Sequence, residues 1–98
     1  MIMRYTVIIM MRRPDYFLVI DIEATCDNKD RIPRNESEVI ELGAVMVDGL
    51  TYDAVDEFQS FVRPIRHSQL TDFCKDLTTI RQIEVDIAPR FDEVCRNL

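Results

Sequence analysis

Apolar residues occupy both alternating positions from Tyr16 to Ile22, with Phe17 and Val19 on one parity and Leu18, Ile20 and Ile22 on the other. A segment apolar on both sides reads as a strand covered on both faces, and so as a central one. It is predicted to run over Tyr16–Ala24. The polar stretch from Cys26 to Ser37, rich in Asp, Asn, Lys and Pro, reads as a loop. Val39–Asp48 repeats the character of the first strand and closes on an Asp48-Gly49 turn signal. Tyr52–Val62 is predicted to return antiparallel, ended by Arg63-Pro64. Helical spacing then takes over. Ser68 and Thr71 offer caps for a short helix through Leu77, with Leu70, Phe73, Cys74 and Leu77 on one face. Thr79 and Gln82 have the form of a capping box for a second helix. Pro89 suits the first turn of a third, whose Phe91, Val94, Cys95 and Leu98 recur at i, i+3, i+4 and i+7. No closing signal follows Leu98, so the sequence is expected to stop inside an amphipathic helix.

The length, 98 residues, allows one small domain. Residues 1–14 read as an N-terminal extension, or at most an extra edge strand, and 15–98 as the domain; the apolar run Tyr5–Met11 is too short to span a bilayer. Apolar content of 47% and charged content of 31% fit a globular protein without membrane insertion. A net charge of −6 argues against non-specific nucleic-acid binding, which depends on Lys and Arg at phosphates. It does not exclude a metal-dependent nuclease, whose carboxylates count as negative while their cations present a positive centre. Arg63, Arg66 and His67 form a local basic cluster that fits either a phosphate contact or a solvated loop. Three scattered cysteines, Cys26, Cys74 and Cys95, suit free thiols in a reducing, cytoplasmic setting rather than a disulfide framework.

Candidate chemistry enters at Asp21-Ile22-Glu23. In a strand these two acids project from one side roughly 7 Å apart. Paired carboxylates are costly there unless cations or hydrogen bonds compensate them, and hard oxygen ligands suit Mg²⁺ or Mn²⁺. Taken alone, a D-x-E also arises from two solvated acids where a strand surfaces. Glu41 is a further acid inside a strand, expected to be hydrogen-bonded or partly exposed at a sheet edge.

Longer runs add specificity. Tyr16-Phe17-Leu18-Val19-Ile20-Asp21-Ile22-Glu23-Ala24-Thr25-Cys26 resembles the first motif of the DEDDh-type 3′→5′ exonucleases, in the branch of the histone-mRNA 3′-exonuclease and KapD-type proteins. Phe58-Gln59-Ser60-Phe61-Val62-Arg63-Pro64, Leu70-Thr71-Asp72-Phe73-Cys74, Leu77-Thr78, Gln82, Val85-Asp86, Ala88-Pro89 and Phe91 follow in the same group's order. The resemblance covers Tyr16 to Leu98. It implies an α/β, ribonuclease H-like fragment: a three-stranded antiparallel meander, then short helices and the start of a longer helix.

The resemblance further implies that Asp21 and Glu23 are catalytic and bind metal, two Mg²⁺ or Mn²⁺ ions in the complete site. Ala24 and Thr25, with Leu77 and Thr78, would contact the 3′-terminal nucleotide of a single-stranded RNA or other nucleic acid, releasing nucleoside 5′-monophosphates. Thr79 stands where the family has Gly, which concerns the nucleotide pocket because Gly takes backbone angles that Thr avoids. Nothing matches the family's second and third motifs, and His67, in a loop, is expected to lie in solvent rather than act as base. The chain is therefore expected to be truncated and inactive alone, with an open sheet edge beside Tyr16–Ala24 available for self-association. The alternative is a non-catalytic remnant that binds nucleic acid or protein.

Overall fold

A computed structural model describes residues 4–10 and 14–98. Four strands form one antiparallel sheet in chain order: β1 (Arg4–Met10), β2 (Tyr16–Ala24), β3 (Val39–Asp48) and β4 (Ala54–Phe61). Three short helices follow: α1 (Asp72–Thr78), α2 (Gln82–Asp86) and α3 (Phe91–Asn97). The sheet has one strand more than the meander expected from the sequence. β1 pairs with β2 along its whole length, from Arg4 opposite Glu23 to Met10 opposite Phe17. The edge expected to be open beside β2 is thus taken, and β2 is interior as its two-sided apolar pattern requires.

Parity and register assign the faces. Ile22 faces Leu42 and Ser60 across the ladders, and Ile20 faces Ala44 and Phe58. Leu42 and Ala44 are buried with Val62 and with Val94 of α3, and Leu18, Ile20, Ile22 and Phe58 pack around them. Ile40, on the same side of β3, joins a second cluster with Cys26, Leu70, Cys74, Ile80 and Val85, which seats α1 and α2 near the C-terminal end of β2. One side of the sheet therefore carries the helices. On the other, Val19, Val45 and Val47 remain half-buried.

Turns and caps explain the boundaries. Asp48 Oδ1 accepts from the N–H groups of Leu50 and Thr51, closing the β3–β4 turn. Gly49 is needed there for close approach: a Cβ would lie 2.3 Å from the Pro14 carbonyl oxygen. β4 starts later than the apolar pattern suggested, because Tyr52 takes a left-handed φ of 64° in the turn. Thr71 caps α1 as expected, accepting from Cys74 N–H at 3.0 Å. Thr79 does not open α2. It ends α1 in the left-handed region, φ 62° and ψ 11°, and α2 begins at Gln82, with Glu84 accepting from the Arg81 N–H. Pro89 precedes the Arg90 cap of α3 rather than entering its first turn, and of the anticipated apolar face only Val94 is buried.

Candidate metal-dependent active site

β2 carries Asp21 and Glu23 on the side of the sheet away from the helices, since Asp21 faces Gly43 while Leu42 and Ala44 point into the core. Asp21 also faces Thr6 on β1, and Thr6 Oγ1 donates to Asp21 Oδ1 at 3.0 Å. Glu23 lies directly opposite Glu41, which accepts from Gln59 Nε2 at 2.9 Å. Glu41 is thus half-buried and hydrogen-bonded as anticipated, but on an interior strand rather than at an edge. Gly43, without a side chain opposite Asp21, helps form a shallow trough of about 360 Å³ bordered by Val19, Asp21, Val45, Glu57 and Gln59.

Carboxylate oxygens on one open face form a donor set that fits hard divalent cations. The fit is partial. Asp21, Glu23 and Glu41 share the face, yet no three His, Cys, Asp or Glu residues converge on a common point among the described residues. A full cage needs more donors than these.

The other residues expected at the site separate into two groups. α1 lies against the end of β2: Thr71 Oγ1 donates to the Cys26 carbonyl at 2.6 Å, and Cys74 Sγ lies 3.7 Å from the Ala24 carbonyl oxygen. This brings Leu77 and Thr78, one turn beyond Cys74, to the same end of the sheet. Leu77 is 40% exposed and free to meet a ligand. Thr78 is half-buried, with its hydroxyl donating to the Cys74 carbonyl at 2.8 Å. Ala24 and Thr25 behave differently, being 4% and 0% exposed. Thr25 N–H donates to the Glu38 carbonyl and its Oγ1 accepts from the Glu38 N–H. Thr25 therefore offers a ligand no surface in this conformation; it fixes the end of β2 to the segment before β3.

Cys26 and Cys74 sit together in the core below this point. Burial, then the neighbouring Cys74, pushes the Cys26 thiol up to about 12. His67 is held rather than solvated, its Nε2 2.8 Å from Glu36 Oε1. Glu38 anchors the same loop by accepting from the N–H groups of Ile65, Arg66 and His67. Neither Thr6 nor Glu38 was visible as a site-shaping residue in the sequence, because each acts through a partner 15 or more residues away.

An antiparallel sheet with an acidic D-x-E on an interior strand and helices on the opposite side fits an α/β, ribonuclease H-like nuclease fold. The exonuclease family RNase_T matches residues 18–98, and the chain belongs to it. The 3′-5′ exonuclease eri1 of Schizosaccharomyces pombe is 42% identical over 83 residues, 85% of this chain and 28% of that protein. The 3′-5′ exoribonuclease 1 of Homo sapiens is 40% identical over 84 residues, 86% of this chain and 24% of that protein. Among solved structures, the nuclease domain of 3′hExo, a DEDDh family member bound to rAMP, superposes with a TM-score of 0.77 at 41% identity, covering 85% of this chain and 41% of that one. The chain thus spans about a quarter of the length of these curated relatives.

Proposed function

We propose that this chain carries the first portion of a 3′→5′ exoribonuclease site in which Asp21 and Glu23 hold divalent cations, Mg²⁺ or Mn²⁺, at the 3′ end of a single-stranded RNA. One observation carries the reading: the two carboxylates share the open side of an interior strand, beside the Gly43 trough. When bound, two such cations would supply Lewis acidity and charge neutralisation for phosphodiester hydrolysis. The chain's own residues then have distinct tasks. Thr6 orients Asp21, Gln59 holds Glu41 beside Glu23, and Leu77 offers an apolar surface to the terminal nucleoside. The rAMP bound to the related nuclease domain supports a nucleoside 5′-monophosphate product and a ribonucleotide substrate. Free thiols support a reducing, cytoplasmic setting.

A second reading, a non-catalytic module that binds nucleic acid or protein, is favoured by His67. The sequence has one histidine, and Glu36 engages it. Absence of a general base typically lowers rates about 10²–10⁴-fold, so these 98 residues are expected to hydrolyse RNA slowly or not at all. Titration with Mn²⁺, followed by calorimetry and by release of mononucleotides from labelled RNA, separates the readings. Mn²⁺ binding that disappears in Asp21→Ala supports the metal site, and release of mononucleotides by these 98 residues would overturn the non-catalytic reading. Equal Mn²⁺ binding by wild type and Asp21→Ala refutes the metal site.

A further inference from the structure

A groove of about 480 Å³ opens where the chain leaves β4, lined by the apolar Val39, Val62, Ile65 and Phe91, the cations Arg63 and Arg90, and the acids Glu38 and Asp92. Arg63 N–H donates to the Pro89 carbonyl at 2.9 Å, which sets the Arg63 and Arg90 segments side by side. A second hollow of about 440 Å³ shares Glu38 and Ile65 with the first and extends the surface to Asn35 and Arg66. Val39 pairs with Ala24, so the groove lies near the end of β2 that carries Glu23, with its α3 lining on the side of the sheet opposite the two acids.

The charges here are unevenly satisfied. Every acid bordering the two hollows already has a partner: Glu38 binds three backbone N–H groups, Glu36 binds His67, and Asp92 lies 3.2 Å from Arg96 Nη2. Burial alone would raise the pKa of Glu38, but those N–H groups and His67 leave it lowered and the group ionised. The guanidinium groups of Arg63, Arg66 and Arg90 make no ion pair or hydrogen bond with any described residue. Among the described residues, three guanidinium groups thus stand open to a ligand beside acids whose oxygens are already engaged. Between them stand Phe91, 49% exposed, and Ile65, 71% exposed. Planar forks pair with phosphate oxygens, and an open ring offers a platform for a base. A single-stranded nucleic acid supplies both at every unit, a phosphate for the guanidinium forks and a base for the ring.

We propose that the Arg63–Arg66–Arg90 groove, with Phe91 as its stacking surface, binds single-stranded RNA at nucleotides internal to the 3′ end. The choice of RNA rests on the exoribonuclease reading; the groove itself rests on its unpaired cations and exposed ring. The test is fluorescence anisotropy of a labelled single-stranded RNA of about 12 nucleotides, titrated in EDTA so that no metal site contributes. Arg63→Gln/Arg66→Gln/Arg90→Gln is expected to weaken binding at least ten-fold and to flatten the dependence of log Kd on log salt by about 2, some 0.7 for each phosphate no longer neutralised. Phe91→Leu is expected to weaken binding roughly five-fold or more. Lys29→Gln/Arg81→Gln, a control away from the groove, should change affinity far less. The proposal is overturned if wild type does not bind the RNA, if the triple variant keeps wild-type affinity and salt slope, or if polyglutamate displaces the RNA as well as unlabelled RNA does. Asp21→Ala separates this inference from the metal reading. Weak RNA binding by the triple variant alongside Asp21-independent Mn²⁺ binding leaves the groove standing and removes the nuclease site, and the converse pair of results does the opposite.

Discussion

Thr71→Ala tests how α1 is held against the end of β2. The Thr71 hydroxyl caps α1 through the Cys74 N–H and donates to the Cys26 carbonyl at the end of β2, at 3.0 and 2.6 Å. Loss of an N-cap costs about 1 kcal/mol. The partly buried Cys26 carbonyl, deprived of its donor, adds about 1–2 kcal/mol. The sum, roughly 2–3 kcal/mol, is a large share of the ~5 kcal/mol or more that a domain of this size commonly has. With a urea m-value of about 1 kcal/mol/M for a small domain, the midpoint should fall by roughly 2–3 M. Equilibrium urea unfolding followed by circular dichroism measures this, and Thr71→Ser, which restores the hydroxyl, should recover most of the loss. Native-state hydrogen exchange should show the amides of Cys74 and Lys75 opening more often in the alanine variant. A midpoint within about 0.5 M of wild type, or a serine variant as unstable as the alanine one, would refute the reasoning that one hydroxyl joins α1 to the sheet.

Two further predictions concern backbone strain and acid stability. Thr79→Gly should raise stability by about 0.5–1 kcal/mol in the same urea assay, because a β-branched residue at φ 62° bears a steric cost that glycine lacks; a loss of stability would show that the Thr79 hydroxyl matters more than the angle. Asp27 is shielded and bound two-pronged by Arg31, which, with the Arg31 and Asn28 backbone N–H groups, outweighs burial and lowers its pKa to about 2. A lowered folded-state value means that this contribution is present above the ordinary carboxylate range and is lost as pH falls through about 2. The difference in thermal midpoint between wild type and Asp27→Asn should therefore be full near neutrality and shrink below about pH 4, and a difference constant with pH would contradict the assignment.

Much of this was legible in the sequence where the information is local. The bounds of β2 and β3 follow from largely apolar runs set off by a polar loop and an Asp-Gly turn, and the common side of Asp21 and Glu23 follows from strand parity alone. Where a feature depends on register, the sequence was silent. The partnership of Thr6 with Asp21 and the apposition of Glu23 and Glu41 exist only once strands are paired. The sequence reads β1 as an extension, or at most an edge strand, because a short apolar run has no local feature that decides whether it pairs; the structure makes it the edge strand beside β2. The capping box read at Thr79 failed for a different reason. α1 claims Thr79 for its own left-handed ending, so the start of α2 shifts to Gln82. Burial of Thr25 was likewise hidden, since its hydroxyl is taken by Glu38 from the far side of the polar loop.

The two core thiols have a practical corollary. Cys26 and Cys74 are enclosed where α1 meets the end of β2, and the first is held protonated far above neutrality, while Cys95 on α3 is exposed. Alkylating reagents attack the thiolate, so at neutral pH the folded chain accepts a maleimide or a fluorophore at one position and admits a second and third only as α1 swings away. Mass spectrometry of the labelled chain, one adduct giving way to three, then becomes a clock for the opening of the very corner on which the proposed nucleotide contacts stand.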